Sequence, residues 1–300
     1  MAAGHAWVLN LDADLELGAR GPSYTPAARV VAQMGDWQRQ LAALLLGPED
    51  VLIHEGREAG AARGCIGRAF CMTRRARALL ERAGASPEPS PPVEVLAQVN
   101  DRAFAFALGF NLPGAELLFD AEAVAAKLAT PPPSGYLGWR MKRRFGMAGR
   151  GQRVVRGEVS EVDVRFLRAS VEPSGSGLVV EPEADVEREY GLHGYVESSG
   201  SLRLGSVVVQ HCDARGQWSS TARAALEELS RAEADQLIAR AELVAAALVR
   251  AGYFGPFGID AFRHRAAPGG TELHSLSEIN ARYSMGFAVG FGRPPPPRSP

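Results

Sequence analysis

Four polar side chains near the end of the sequence have the chemistry to bind a cation together with a phosphate. Magnesium prefers oxygen ligands at roughly 2.0–2.1 Å, and it usually takes one or two carboxylates and fills its other positions with water and substrate phosphate. An arginine beside such a site can bind phosphate oxygens in a bidentate way. The four residues are Asp260, Glu278, Asn280 and Arg282.

A β-hairpin is predicted to bring these four side chains together. Residues 257–263 and 273–282 mix aromatic and β-branched side chains with polar ones, and Pro268-Gly269-Gly270 between them is typical of a turn. With the turn at the centre, Asp260 faces Glu278 across an antiparallel pair. Because side chains on a strand alternate between faces, all four point to the same side. The alternative interpretation is a surface hairpin with ordinary polar residues.

A basic, glycine-rich loop is the second stretch with recognisable chemistry. Residues 136–142 have strand character and end in Lys142, and the loop 143–152 follows directly. Glycines let a backbone fold closely over phosphates, while the lysine supplies a point charge. The spacing fits neither a P-loop nor a Rossmann motif, and it indicates a lid over phosphates. The glycines in question are Gly146, Gly149 and Gly151.

Two other functions remain open for this loop, a solvated turn and a nucleic-acid patch. Few aromatic residues interleave with the basic ones, as a stacking platform for bases would require. The net charge of the whole chain is -1. Both observations disfavour nucleic acid as a partner.

A predicted strand at 178–182 ends in Glu181-Pro182. Proline has no amide hydrogen to continue a ladder, so the backbone edge at this point is free to bind a purine. The acidic stretch 183–189 leads into a predicted hairpin of residues 190–196 and 202–212, where one carboxylate could hold ribose hydroxyls. The alternative is a solvated acidic face.

Composition limits the classes of protein to which the chain can belong. With 300 residues, 46% of them hydrophobic and 22% charged, the chain is predicted to be globular and is long enough for two or three subdomains. Three cysteines without metal-ligand spacing are typical of the reducing cytoplasm, which we take as the expected compartment. No apolar run approaches the roughly 20 residues of a membrane helix, so no membrane partner is expected.

The order of strand and helix signals predicts the division into domains. Strands at 7–11 and 51–54 alternate with helices at about 26–46 and 73–83, as in a layered α/β unit. Capping residues predict later helices that begin near Asp101, Asp120, Ser160 and Ser230. The predicted units are an N-terminal α/β domain at 1–92 that closes with a linker at 87–92, a catalytic domain at 93–292 with a lid at about 136–212, and a proline-rich tail at 293–300.

In this order the motifs resemble the ATP-grasp superfamily. The resemblance covers about residues 95–290 and rests on Asn100-Asp101-Arg102 at a helix start, the strand lysine with its glycine-rich loop, the Val-Val-Glu-Pro stretch at 179–182 and the terminal Asp…Glu-x-Asn-x-Arg hairpin. It implies an ATP-grasp fold of mixed α/β and α+β class, preceded by a small N-terminal α/β (pre-ATP-grasp) domain. ATP would then be held between two α+β subdomains.

The resemblance also implies a role for each residue. Arg102 and Lys142 would lie near the phosphates, under a lid formed by Gly146, Gly149 and Gly151. Glu181 would contact adenine and Glu189 would contact ribose. One or two magnesium ions, for which manganese can substitute, would be held by Asp260, Glu278 and Asn280, with Arg282 as the catalytic residue beside the transferred phosphate. The family commonly has lysine where Arg102 stands, and Lys127 is an alternative for that role.

The activity implied is that of an ATP- and magnesium-dependent carboxylate–amine ligase acting on a small amino-acid-like or peptide substrate. Such chemistry needs positioning and charge neutralisation more than a protein nucleophile. The lining of the acceptor site is predicted to include residues 283–286 and Tyr24. The alternatives are a small-molecule kinase of the same fold and a non-catalytic nucleotide-binding protein, and a homodimer is one alternative for the assembly.

Overall fold

The computed structural model describes residues 4–19, 24–56, 59–147, 149–171, 176–212, 218–225, 227–267 and 269–293. The predicted tail lies outside the described residues beyond Arg293, as does Pro268 of the predicted hairpin turn. No helix in the described ranges is long and apolar enough to cross a membrane.

The described ranges contain helices and strands throughout. The helices are Ala13–Leu17 (α1), Ala28–Leu45 (α2), Arg74–Arg82 (α3), Val93–Asn100 (α4), Arg102–Ala107 (α5), Ala121–Ala129 (α6), Glu161–Val171 (α7), Arg231–Arg250 (α8) and Phe287–Gly290 (α9). The strands are His5–Val8 (β1), Val51–Ile53 (β2), Ile66–Ala69 (β3), Ser86–Pro87 (β4), Glu116–Leu118 (β5), Trp139–Arg143 (β6), Gln152–Val155 (β7), Leu178–Pro182 (β8), Asp185–Val196 (β9), Leu202–Cys212 (β10), Trp218–Arg223 (β11), Gly255–Ala266 (β12) and Gly270–Asn280 (β13).

The first sheet is parallel and has the strand order β2-β1-β3-β4. Helix α3 packs on it through Ala76, Leu79 and Leu80, which are buried with Val8 and Ile53 in one hydrophobic cluster. The predicted linker at 87–92 is wrong at its first residue, because Pro87 lies in β4 and pairs with β3. Proline is tolerated there because β4 is an edge strand.

The second sheet is antiparallel, with the order β11-β10-β9-β12-β13. Helix α8 covers one of its faces and buries Leu237, Val244 and Leu248 against Phe257 and other residues of the sheet. The third sheet, also antiparallel, has the order β5-β8-β6-β7 and packs against α6 and α7.

The predicted lid at 136–212 does not correspond to one sheet. Strands β6, β7 and β8 lie in the third sheet, but β9 and β10 belong to the second, since β9 pairs with β12 along its whole length. The chain therefore crosses from one sheet to the other between Pro182 and Asp185.

Helix α8 begins with the capping box that its sequence predicts. The Ser230 hydroxyl accepts a hydrogen bond from the backbone N–H of Glu233, and the Glu233 side chain accepts one from the backbone N–H of Ser230. We expect Ser230→Ala to lower the free energy of unfolding by about 1 kcal/mol, the usual value of an N-cap. Chemical denaturation measures this loss. An equal loss in Ser198→Ala, at an exposed position outside any helix, would contradict the capping explanation.

Candidate active site

The hairpin of β12 and β13 places Asp260 directly opposite Glu278, which confirms the predicted register. The turn position that was predicted to set this register is not the one observed. At the tip Ala266 pairs with Gly270, and counting back from that pair Asp260 would face Leu276. A β-bulge on β13 adds two residues between the tip and the site, so that Glu278 takes the position opposite Asp260.

Asp260 lies among polar groups on β12 of the second sheet. Gln210 on β10 donates a hydrogen bond of 2.8 Å to its Oδ1, and Asn280 donates one of 2.8 Å to its Oδ2. Burial raises the pKa of Asp260 to about 6, with the charge of Glu278 as the next cause. Two facing carboxylates, one of them buried and with a raised pKa, are typical of a site that a cation would neutralise.

Arg102 neutralises Glu278 in this structure. Its Nη2 lies 2.8 Å from Glu278 Oε1, and its Nη1 donates a hydrogen bond of 2.6 Å to the carbonyl of Arg143 at the root of the glycine-rich loop. Arg102 Nε is buried and has no hydrogen-bond partner among the described residues. Helix α5 begins here because Asp101 caps it, accepting a bond of 2.8 Å from the backbone N–H of Ala103.

Lys142 and Glu181 form a second ion pair, on the third sheet. Lys142 Nζ on β6 lies 2.6 Å from Glu181 Oε1 on the neighbouring strand β8. Strand β8 is internal, but β5 pairs with it only as far as Val180. Glu181 and Pro182 extend past the end of β5, so the predicted backbone edge exists over these two residues only.

The glycine-rich loop closes over these pairs. Gly149 and Gly151 have φ angles of 76° and 78°, in the left-handed region that favours glycine. A Cβ on Gly146 would lie 2.4 Å from the Arg150 carbonyl oxygen and 2.9 Å from Arg102 Nη1, so only glycine permits this close approach. Ala148 lies outside the described residues.

The loop also contacts the N-terminal region. A Cβ on Gly18, at the end of α1, would lie 2.8 Å from ring carbons of Phe145, so the ring sits directly on that backbone. Met147 is 6% exposed and is buried in the same hydrophobic cluster as Leu11 and Phe70. The loop therefore bridges the third sheet and the first.

Glu189 lies on β9, where it pairs with Phe262 on one side and Gln210 on the other. The thiol of Cys212 donates a hydrogen bond of 2.8 Å to Glu189 Oε2. The charge of Glu189 also contributes to raising the pKa of Asp260. Glu189 thus lies near the facing carboxylates as well as near the crossing between the sheets.

Arg282 follows β13 and is held by a residue from the other end of the chain. Its Nε and Nη2 donate hydrogen bonds of 3.0 and 2.5 Å to the two carboxylate oxygens of Asp14 on α1. Its guanidinium also lies 5.1 Å from the centre of the Phe70 ring. Although burial works against the charge, the Asp14 carboxylate raises the pKa of Arg282, which keeps the guanidinium ionised.

One cavity of about 430 Å³ joins these groups. All the residues predicted for the nucleotide, the metal and catalysis line it except Gly151, which shapes the loop through its backbone. Of the predicted acceptor-site lining, residues 284–286 line the cavity, whereas Tyr24 and Tyr283 do not. Lys127 is not among the lining residues: it pairs with Glu116 and lies over the Trp139 ring. Arg102 and Lys127 were the two candidates for the phosphate-binding position at which the family commonly has lysine. Of these two, Arg102 alone lines the cavity. The predicted residues in the lining are Arg102, Lys142, Gly146, Gly149, Glu181, Glu189, Asp260, Glu278, Asn280 and Arg282.

Three residues that order this site were not predicted from the sequence. Arg140 lines the cavity and binds Glu183 at 2.7 Å, and its position two residues before Lys142 on one strand face was a usable signal. Gln210 directly follows the apolar run Val207-Val208-Val209. A polar residue at the end of such a run was also a usable signal. Asp14 had no such signal, because its contact with Arg282 spans 268 residues.

Comparison with known proteins gives matches in structure only. No protein-family model matches the sequence, and no curated protein matches it. The structure of Rhizobium etli pyruvate carboxylase T882A matches with a TM-score of 0.56 and 16% identity, over 96% of this chain but only 27% of that one.

Two further solved structures are matched over more of their own length. The biotin carboxylase–β-γ-ATP complex from Campylobacter jejuni has a TM-score of 0.56 and 15% identity, over 95% of this chain and 67% of that one. D-alanyl-alanine synthetase A from Vibrio cholerae O1 has a TM-score of 0.52 and 15% identity, over 94% and 89%. These structures are ATP-grasp proteins. The protein described here therefore has the ATP-grasp fold, a mixed architecture of α/β and α+β units.

Proposed function

We propose that this protein is an ATP-dependent ligase that activates a small carboxylate as an acyl phosphate for attack by an amine. The observation that carries the proposal is that two facing carboxylates, Asp260 and Glu278, line one cavity together with two cations, Arg102 and Lys142, and residues of a glycine-rich loop. Facing carboxylates with nearby cations suit a polyphosphate that carries its own metal ion.

The chemistry of the lining supports one position for ATP. The backbone edge at Glu181–Pro182 suits the edge of adenine, and Glu189 suits the ribose hydroxyls. Lys142 and Arg102 would exchange their present carboxylate partners for phosphate oxygens. The complex of biotin carboxylase with β-γ-ATP supports a nucleotide as a ligand of this fold.

The donor set fits magnesium. No group of three or more histidine, cysteine, aspartate or glutamate side chains with metal-binding geometry occurs in the described ranges. Asp260 and Glu278 supply two carboxylates and Asn280 an amide oxygen, and magnesium bound with substrate phosphate needs only one or two carboxylates from the protein. When bound, the cation would neutralise charge that develops on the transferred phosphoryl group.

The proposed reaction has two transfers. A carboxylate oxygen of the substrate attacks the γ-phosphorus of ATP and ADP leaves, which yields an acyl phosphate. The amine nitrogen then attacks the acyl carbon, inorganic phosphate leaves with the bonding pair, and the amine proton passes to solvent or phosphate. Arg282, held in place by Asp14, would stabilise the charge on the transferred phosphoryl group. Neither transfer requires a protein nucleophile.

ADP release tests the proposal when it is measured against a panel of carboxylates with and without amines. Hydroxylamine serves as a general amine because it traps an acyl phosphate as a hydroxamate. Carboxylate-dependent ADP release with hydroxamate formation is the expected result. Phosphorylation of a hydroxyl compound without hydroxamate would assign a kinase instead, and nucleotide binding without turnover would assign a non-catalytic binding protein.

The pKa of Asp260 predicts how ATP binding depends on pH. A carboxylate whose pKa is about 6 is ionised above that pH and protonated below it. Binding of the metal–nucleotide complex needs the ionised form, so we expect affinity to fall about tenfold per pH unit below pH 6. Calorimetry of ATP with magnesium between pH 5 and pH 8 measures this. A flat profile down to pH 5 would contradict the proposed role of Asp260.

A further inference from the structure

We infer that the carboxylate substrate of this site has an apolar side chain, bound at the end of the cavity that faces the N-terminal region. The inference rests on the proposed function and names its substrate class. The residues concerned are Leu11, Trp37, Phe70, Met147 and Met285, called the apolar end below.

The apolar end lies where ligands bind in parallel sheets. Phe70 follows β3 directly, and Leu11 comes three residues after the end of β1. Both positions are at the carboxyl ends of parallel strands, the edge at which open α/β sheets bind their ligands. Trp37 reaches the same place from α2.

The lining of this end differs in chemistry from the rest of the cavity. Within the described part of residues 4–92, every residue that lines the cavity is apolar, namely Leu11, Trp37 and Phe70. These residues pack with Met147 and Met285 in one hydrophobic cluster. The carboxylates and cations of the lining come from the second and third sheets, from α5, and from Glu183 and Arg282 in segments next to the sheets.

Arg282 supplies the charge at the boundary of the apolar end. It lies over the Phe70 ring and lines the cavity, so a substrate with its side chain in the apolar end would direct its carboxylate toward this guanidinium. A basic side chain in the apolar end would be repelled by Arg282. An acidic side chain would compete with Asp14 for Arg282 and would lose its hydration among apolar groups.

Free amino acids of similar size test the inference directly. Leucine, asparagine and aspartate share a branched shape and differ in polarity, and lysine adds a positive charge. With ATP, magnesium and hydroxylamine, we expect kcat/KM for leucine or phenylalanine to exceed that for asparagine, aspartate and lysine by about tenfold or more. Equal or better use of aspartate or lysine would overturn the inference.

Variants locate the preference in the apolar end. Trp37→Ala removes the largest half-buried side chain of the apolar end from a helix surface, and we expect it to lower kcat/KM for leucine about tenfold while the KM for ATP is unchanged. Trp37→Phe should restore most of the loss. Leu44→Ala, an exposed position on the same helix outside the cavity, is the matched control and should change neither value. A loss of ATP affinity in Trp37→Ala would overturn the assignment.

The two proposals fail in different ways. If no carboxylate in the panel stimulates ADP release or forms hydroxamate, the proposed ligase function is wrong. If carboxylates are used but polar and apolar side chains are used equally, the ligase function stands and the substrate class is wrong. Calorimetric binding of leucine and aspartate in the presence of a non-hydrolysable ATP analogue gives a second readout that does not depend on turnover.

Discussion

Glu278→Gln is expected to reduce ATP turnover by about 100-fold or more while leaving the protein folded. Glu278 is one of the two facing carboxylates, and its loss would remove an anionic ligand from the proposed cation site. The glutamine oxygen can still accept the hydrogen bond from Arg102 Nη2, so the contact between β13 and α5 is retained. ADP release and the thermal midpoint of unfolding, measured on the same preparation, separate the two effects.

Glu272→Gln is the matched control for this variant. Glu272 lies on the same strand, is exposed and does not line the cavity, so its substitution changes the same charge without touching the site. We expect its turnover to equal that of the wild type. If Glu278→Gln retains full ADP release, the assignment of the two facing carboxylates to a cation is wrong.

Lys142→Met is expected to weaken ATP binding by about tenfold to a hundredfold, the range for loss of a hydrogen bond to a charged group. Lys142 is 5% exposed and pairs with Glu181 across two neighbouring strands. Methionine keeps the apolar stem that packs in the sheet and removes the ammonium group that would bind phosphate. Calorimetric titration with ATP measures the change.

Lys127→Met provides the comparison with the same change of residue type. Lys127 pairs with Glu116 and lies 4.6 Å from the centre of the Trp139 ring, outside the cavity. We expect it to lose a little stability and to bind ATP as the wild type does. Equal weakening in both variants would mean that the effect of Lys142 is structural rather than a contact with the nucleotide.

The hairpin shows how far local sequence can predict a site. Alternation along β13 was enough to place Glu278 and Asn280 on one face, because residues two apart on a strand share a face. Asp260 shares that face only when the register changes by an even number of residues, as it does with the two-residue bulge. The residue directly opposite Asp260 depends on the bulge in β13, and the sequence of residues 275–277 contains no glycine or proline to mark one. The predicted pairing was therefore correct although the tip and the bulge were not foreseen.

Capped helices were predicted well, and short elements were not. Helices α3 and α8 begin after Thr73 and Ser230, whose side chains accept hydrogen bonds from backbone N–H groups of the first helical turn. Such capping residues can be recognised in the sequence. Helix α1 has five residues and no side-chain cap, so neither propensity nor periodicity identifies it. Because Asp14 lies on that helix, the partner of Arg282 was not predictable from local patterns.

The same ion pair constrains how the protein can acquire its native state during synthesis. Asp14 is 5% exposed, and Arg282, its cationic partner among the described contacts, is 268 residues later in the chain. A nascent chain would hold Asp14 for most of its translation without that counter-charge, and burying an unpaired carboxylate is costly. We therefore expect the final docking of α1 to follow the release of β13 and Arg282 from the ribosome.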